Sequence, residues 1–196
     1  CVTALVAALD AAPDAGAAVP TVLHAEPPGI VWWVGGHLDT MRALGMHEHF
    51  GCAIDDLPPH LRDGAAPRDV TVFSGCAVLL RASTVRELGG FRDDYVNYLE
   101  DTEVSVGWQR AGCRLLHVPS ARAVHKVAFP PLEPTPYQIR MRDRNRRRLA
   151  REYLGPFARL RFHAWFWPTR VVRGASYALR GDAARLRAIV AGATER

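Results

Sequence analysis

The chain has 196 residues, 48% of them apolar, and a formal net charge of +5. That is material for one packed domain, and the positive balance points to anionic partners such as nucleic acid, nucleotide diphosphates or acidic lipid headgroups. Cys1, Cys52, Cys76 and Cys113 form no Cys-x-x-Cys pair, which argues against a zinc site or a disulfide framework and for free thiols in a reducing compartment. No signal peptide is evident, and no apolar run approaches the roughly 18 residues of a membrane span.

Residues 2–9 predict a helix closed by a turn at 13–16, followed by a short strand at 19–23. Pro27, Pro28 and Gly29 interrupt the chain before residues 30–34, a β-branched and aromatic run suited to a buried strand. Gly35 and Gly36 then lead into a short helix with Leu38, Met41 and Leu44 on one side. Residues 55–69 contain Pro58, Pro59, Gly64 and Pro67 and are expected as a loop, of a length common in functional lids. Strand or near-strand structure is expected at 70–73 and 76–80, around Ser74 and Gly75. Thr84 and Glu87 have capping-box spacing for a helix ended by Gly89.

Residues 91–110 read F-R-D-D-Y-V-N-Y-L-E-D-T-E-V-S-V-G-W-Q-R. Glu100, Asp101 and Glu103 crowd a first helical turn, where free backbone N–H groups and the helix dipole favour negative charge. Val104, Trp108 and Ala111 give that helix an apolar face. An acidic first turn stabilises many ordinary helices; a carboxylate on a rigid element also suits proton abstraction. Beyond it, residues 115–118 predict a strand stopped by Pro119, and 121–125 another. Pro130, Pro131, Pro134 and Pro136 form a stiff linker, and the tail is helical with breaks at Gly155-Pro156, Pro168 and Gly181.

The ordered set Ser74-Gly75-Cys76-Ala77, Leu88-Gly89-Gly90-Phe91, Glu100-Asp101-Thr102-Glu103 and Pro119 to His125 resembles the C-terminal half of the catalytic domain of family 2 glycosyltransferases, in the rhamnosyltransferase-like, cell-envelope branch. The resemblance spans about residues 19–145. It implies an α/β chain: the C-terminal part of a GT-A fold, with a mixed sheet, flanking helices and a helical tail. It also implies division into a catalytic part at 1–129, a linker at 130–136 and a basic, aromatic tail at 137–196. Cys1 opens inside a helical pattern, and no Asp-x-Asp segment is present, so the resemblance leads one to expect that the nucleotide-binding half is missing and that this excerpt alone is inactive.

By the same resemblance, the reaction is inverting transfer of a sugar from a nucleotide-diphosphate donor to a glycan or lipid-linked acceptor in cell-surface polysaccharide synthesis. Asp101 matches the catalytic base, with Glu100 contacting the acceptor or orienting the site. His125 matches a ligand of a divalent Mg or Mn ion; read without the family, it is a polar residue at a strand end. Trp32, Trp33, Gly35 and Gly36 either line the sugar pocket or form a buried strand and its turn. Ser74, Gly75 and Cys76 match a segment beside donor and acceptor, although Gly75 also serves as a strand bend. His47-Glu48-His49 lacks further spaced ligands and reads as solvated surface.

Arg140, Arg142, Arg144, Arg146, Arg147, Arg148 and Arg151 form the densest charge run, and Arg144 with Asn145 resembles an Arg-Asn pair of the family. These arginines either draw in a phosphate or cover a solvated helix face. With the aromatics of 157–167 they suggest an anionic membrane surface and a cytoplasmic, peripheral place at its inner face. A basic nucleic-acid-binding module and an inactive glycosyltransferase remnant are the rival readings. The acidic first turn disfavours the first of these, so no nucleic-acid partner is expected.

Overall fold

The computed structural model describes Cys1–Glu195. The chain forms two compact units: Cys1–Leu38, Gly45–Arg92 and Glu100–Leu132 make the first, and Asp39–Leu44, Asp93–Leu99 and the chain from Glu133 onward make the second. All four cysteines are free thiols.

In the first unit α1 (Val2–Ala11) turns Leu5, Ala8 and Leu9 inward onto Ala15, Ala18, Leu116 and Val118. β1 (Ala15–His24) is buried almost throughout, as a central strand covered on both faces must be. It pairs antiparallel with β2 (Val31–Trp33). β3 (Gly36–Asp39) and β4 (Leu44–His47) form a separate two-stranded sheet where the spacing of Leu38, Met41 and Leu44 predicted a helix. The Gly36 carbonyl accepts from the Thr71 and Val72 amides, and the Asp39 carboxylate accepts from the Arg42 amide at the hairpin turn. These bonds favour extended chain over a helix.

β5 (Arg68–Asp69) and β6 (Leu79–Leu80) are short, and the chain between them is irregular apart from its ends. α2 (Ala82–Leu88) starts two residues before Thr84 and has no side-chain cap bond, which corrects the capping box. Its start is set instead by the Arg81 amide on the Gly16 carbonyl, while the Arg81 guanidinium binds the carbonyls of Leu9, Ala12 and Ala15. α3 (Glu100–Arg110) forms as expected.

β7 (Arg114–His125) lies parallel to β1 and antiparallel to β5, so the strand order is β2-β1-β7-β5 with β6 also on β1. Pro119 does not stop it. The register jumps from Pro20↔Val118 to Thr21↔Arg122, a bulge in which a residue without an N–H costs no ladder bond. His117 faces the core at 0% exposure, bonded to Thr21 Oγ1 at 3.0 Å. The mixed sheet with flanking helices agrees with the expected α/β class.

The second unit is helical. α4 (Pro136–Tyr153) begins with a capping box in which Thr135 and Gln138 each bond the other's backbone. α5 (Pro156–Leu179) runs through Pro168, which sits on its exposed side while Phe166 and Arg170 are buried opposite. The expected break is therefore absent, and the Thr169 hydroxyl bonds the Trp165 and Phe166 carbonyls around the missing N–H. α6 (Ala183–Thr194) is capped by Asp182. Ile139, Tyr177, Ala188 and Ile189 form this unit's core. Along the chain the last change of unit falls between Leu132 and Glu133, within the proline-rich stretch at 130–136.

Candidate active site

Asp101, Ser105 and Gln109 stand at i, i+4 and i+8 along one stripe of α3. Each side chain bonds the backbone of the extended segment beside it. Gln109 donates to the Val70 carbonyl at 3.1 Å, Ser105 Oγ accepts from the Phe73 amide at 3.0 Å, and Asp101 Oδ2 accepts from the Gly75 amide at 3.0 Å. Ser105 also donates to the Asp101 carbonyl at 2.6 Å. The helix thus fixes an irregular segment whose first three amides reach the carbonyls of Leu115 and Gly36 and whose remainder, 73–75, is held by α3 side chains. Ser105 and Gln109 were not singled out from sequence, though their four-residue spacing from Asp101 was there to be read.

Asp101 is half-buried. Its Oδ1 accepts from the Thr102 amide at 2.7 Å and from Thr102 Oγ1 at 3.3 Å. A carboxylate offers about four lone-pair directions. Three are engaged here, which leaves one on Oδ2 for an incoming hydroxyl. Gly75 lies against the carboxylate: a Cβ there would make ordinary contact, 3.4 Å from Asp101 Cβ and 3.7 Å from Oδ2. Ser74 is buried and bonded to Cys76, whereas Gly75 and Cys76 are exposed beside the carboxylate. Burial pushes the Glu100 carboxyl up, helped by the Asp101 charge, and its Oε2 is enclosed without a hydrogen-bond partner.

Aromatic and imidazole rings gather nearby in the first unit. Trp32 meets the rings of His47 and His125 edge-on, each at 4.6 Å between centroids. His47 Nδ1 is 3.0 Å from the Trp32 carbonyl. Burial lowers the His47 pKa, against the Trp32 carbonyl and the Asp101 charge, which raise it. His47 is thus a half-enclosed neighbour of the carboxylate, which corrects its reading as solvated surface. Glu48 is instead paired with Arg68 at 2.6 Å, and His49 is exposed. His24 is buried between Phe50 and Phe129, and burial, then the His24 charge, lowers the His125 pKa.

Other expected site residues are engaged within their own units. Trp33 alternates to the opposite face of its strand from Trp32 and is 1% exposed in the core, so it cannot stack on a sugar. Gly35 and Gly36 are buried against the chain itself: a Cβ on Gly36 would lie 3.0 Å from the Val72 carbonyl, and one on Gly35 would strike Arg68. Their small size serves packing. Arg144 binds the Asp94 carbonyl and Asn145 Oδ1 within the second unit. The rest of that charge run is similarly engaged: Arg140 with Glu195, Arg147 with the Glu195 carbonyl, Arg148 with Asp94. Arg146 and Arg170 are buried on Asp143, and burial pulls Arg146 down to about 10. This removes most of the arginines that a nucleic-acid-binding module would use. Asn145, fully buried, donates to the carbonyls of Tyr95, Asn97 and Tyr98. It thereby holds a loop in which Val96, Tyr98 and Leu99 have positive φ.

A metal fits these residues poorly. Among the described residues no three His, Cys, Asp or Glu side chains form a group able to hold an ion. His125, with its Nδ1 enclosed and unpartnered, is one donor and not a site.

Two curated relatives resemble the chain, both described as N-acetylglucosaminyl-diphospho-decaprenol L-rhamnosyltransferase and drawn from two strains of Mycobacterium tuberculosis. Each is 32% identical over 130 residues, covering 62% of this chain and 42% of the relative. The chain therefore spans less than half the length of the curated relatives it matches. The model of glycosyl transferase family group 2 matches residues 28–185, most of the chain and the whole acidic helix with its partners. The chain belongs to glycosyl transferase family group 2.

Proposed function

We propose that this chain supplies the acceptor side of an inverting glycosyltransferase. The enzyme moves a sugar from a nucleotide-diphosphate donor to a lipid-linked or glycan acceptor in cell-surface polysaccharide synthesis, at the cytoplasmic face of the membrane. The observation that carries the reading is the Asp101 carboxylate, fixed by Gly75 and Thr102 with one lone pair of Oδ2 left over. The names of the relatives, which specify N-acetylglucosaminyl-diphospho-decaprenol and L-rhamnosyl transfer, support the substrate classes.

In this mechanism the acceptor hydroxyl gives its proton to Asp101 Oδ2 as its oxygen bonds to the anomeric carbon. The bond from that carbon to the donor diphosphate breaks on the opposite face, and the diphosphate leaves with the electron pair. Glu100, kept toward its neutral form by burial, orients the acceptor, and Trp32 offers a ring face to a sugar. A divalent Mg or Mn ion belongs to the same proposal only through donors outside these residues, since His125 alone cannot hold one. The test is the anomeric configuration of the product, read by NMR, in a protein that joins this chain to an Asp-x-Asp segment. Inversion is expected; retention overturns the single-displacement role of Asp101.

A further inference from the structure

The outward side of α5 is apolar along its length. Phe157, Leu160, Trp167, Val171, Val172 and Leu179 are 73, 66, 43, 70, 70 and 90% exposed, and Ala164, Pro168, Ala175 and Ala178 fill the exposed positions between them. At 3.6 residues per turn these positions form one stripe about 33 Å long. The opposite stripe, Phe162, Phe166, Arg170, Gly174 and Tyr177, is buried. An exposed patch of this extent marks an interaction surface.

Charge identifies the partner. Residues 137–196 hold fifteen arginines against four acidic residues, whereas acidic residues outnumber basic ones in the rest of the chain. No carboxylate lies on the outward stripe. Its one charge is Arg161, whose guanidinium sits over the Phe157 ring and forms no ion pair among the described residues. A second copy of so basic a unit would be repelled from this face, whereas anionic headgroups would be attracted to it. Aromatic and aliphatic side chains set against arginine are the pattern of a helix lying in the bilayer interface. No helix among the described residues is long and apolar enough to cross a membrane.

We propose that α5 lies flat on an anionic bilayer through Phe157, Leu160, Trp167, Val171 and Leu179, with Arg161 reaching the headgroups. The test is cosedimentation of the 196-residue chain with vesicles of phosphatidylcholine containing about one-quarter phosphatidylglycerol, compared with phosphatidylcholine alone. The chain is expected to bind the anionic vesicles at least about tenfold better. Trp167→Glu with Val171→Glu, both at exposed positions, is expected to reduce that binding at least about tenfold with an unchanged circular-dichroism melt. Wild-type chain left in the supernatant with both vesicles overturns the proposal, as does equal binding by the double variant. A dimer broken by the same substitutions, without vesicle binding, also overturns it and assigns the face to a second copy. None of these readouts needs turnover, so failure here leaves the role of Asp101 standing, and the reverse also holds.

Discussion

Replacing Asp101 by Asn separates a chemical role from a fastening role, because the two have different magnitudes. The carboxylate accepts from the Gly75 amide at 3.0 Å and the Thr102 amide at 2.7 Å. An amide side chain keeps one acceptor oxygen, and the shorter Thr102 bond holds it, so the NH2 group is turned toward the Gly75 N–H. One charge-assisted bond is lost, worth about 1.5–3 kcal/mol in a buried setting. Gly75 is exposed and its N–H recovers water, so the net cost is about 1 kcal/mol. For a chain of this size that lowers Tm by roughly 2–4 °C. Removing a general base costs about 10²–10⁴ in rate, or about 2.7–5.5 kcal/mol of barrier. The assay is transfer of labelled sugar to a lipid-linked acceptor, read beside a thermal melt on the same protein. Turnover should fall at least about a hundredfold while the melt moves only a few degrees. Full turnover by Asp101→Asn would remove the carboxylate from the chemistry. A melt lowered by tens of degrees would show that Asp101 holds the unit together instead.

Other expectations follow from buried groups. The folded pKa of His117 is about 3, driven down first by burial and then by the Arg68 charge, against 6.5 for a free histidine side chain. The unfolded chain binds the extra proton between those values, so stability falls as pH drops through 6.5 toward 3, by about 2 kcal/mol at pH 5. His117→Gln should flatten that acid limb in urea titrations; an unchanged slope would contradict the assignment. Gly192→Ala should destabilise the helical unit by about 2 kcal/mol or more, because the new Cβ would sit 2.6 Å from the Arg140 carbonyl, a backbone atom unable to swing aside. A melt equal to wild type would show that α4 and α6 can part at that point. Asn145→Ala should cost about 2–3 kcal/mol, because two amide hydrogens shared among three carbonyls of a loop with left-handed residues are lost, and should raise amide exchange near 95–99. Asn145→Asp, which presents an acceptor to those carbonyls, should be no better; wild-type stability in that variant would refute the clamp.

Local chemistry made α1 and α3 legible in the sequence, since an apolar period and an acidic first turn depend on neighbours a few residues away. The ordered glycine, acidic and proline motifs carried the family. Long-range pairing determined what the sequence hid. Leu38, Met41 and Leu44 suggest a helix until the Gly36 carbonyl meets two amides from residues 71 and 72. Pro119 ends a strand on paper but sits in a bulge once β1 is beside it. Trp32 and Trp33 are alike in sequence, and only the sheet puts one beside His47 and His125 and the other in the core. The arginine run looks like free charge until its carbonyl and carboxylate partners are placed.

The amino-acid order alone determined helices such as α1 and α3, the family, and the carboxylate worth pursuing, because those rest on bonding within a turn or two or on an ordered set of motifs. Tertiary structure decided how many of that residue's lone pairs are already engaged and which glycines are closed in by packing. It also decided which face of α5 is left without cover. Each of these depends on atoms brought together from distant parts of the chain, and no local pattern encodes them.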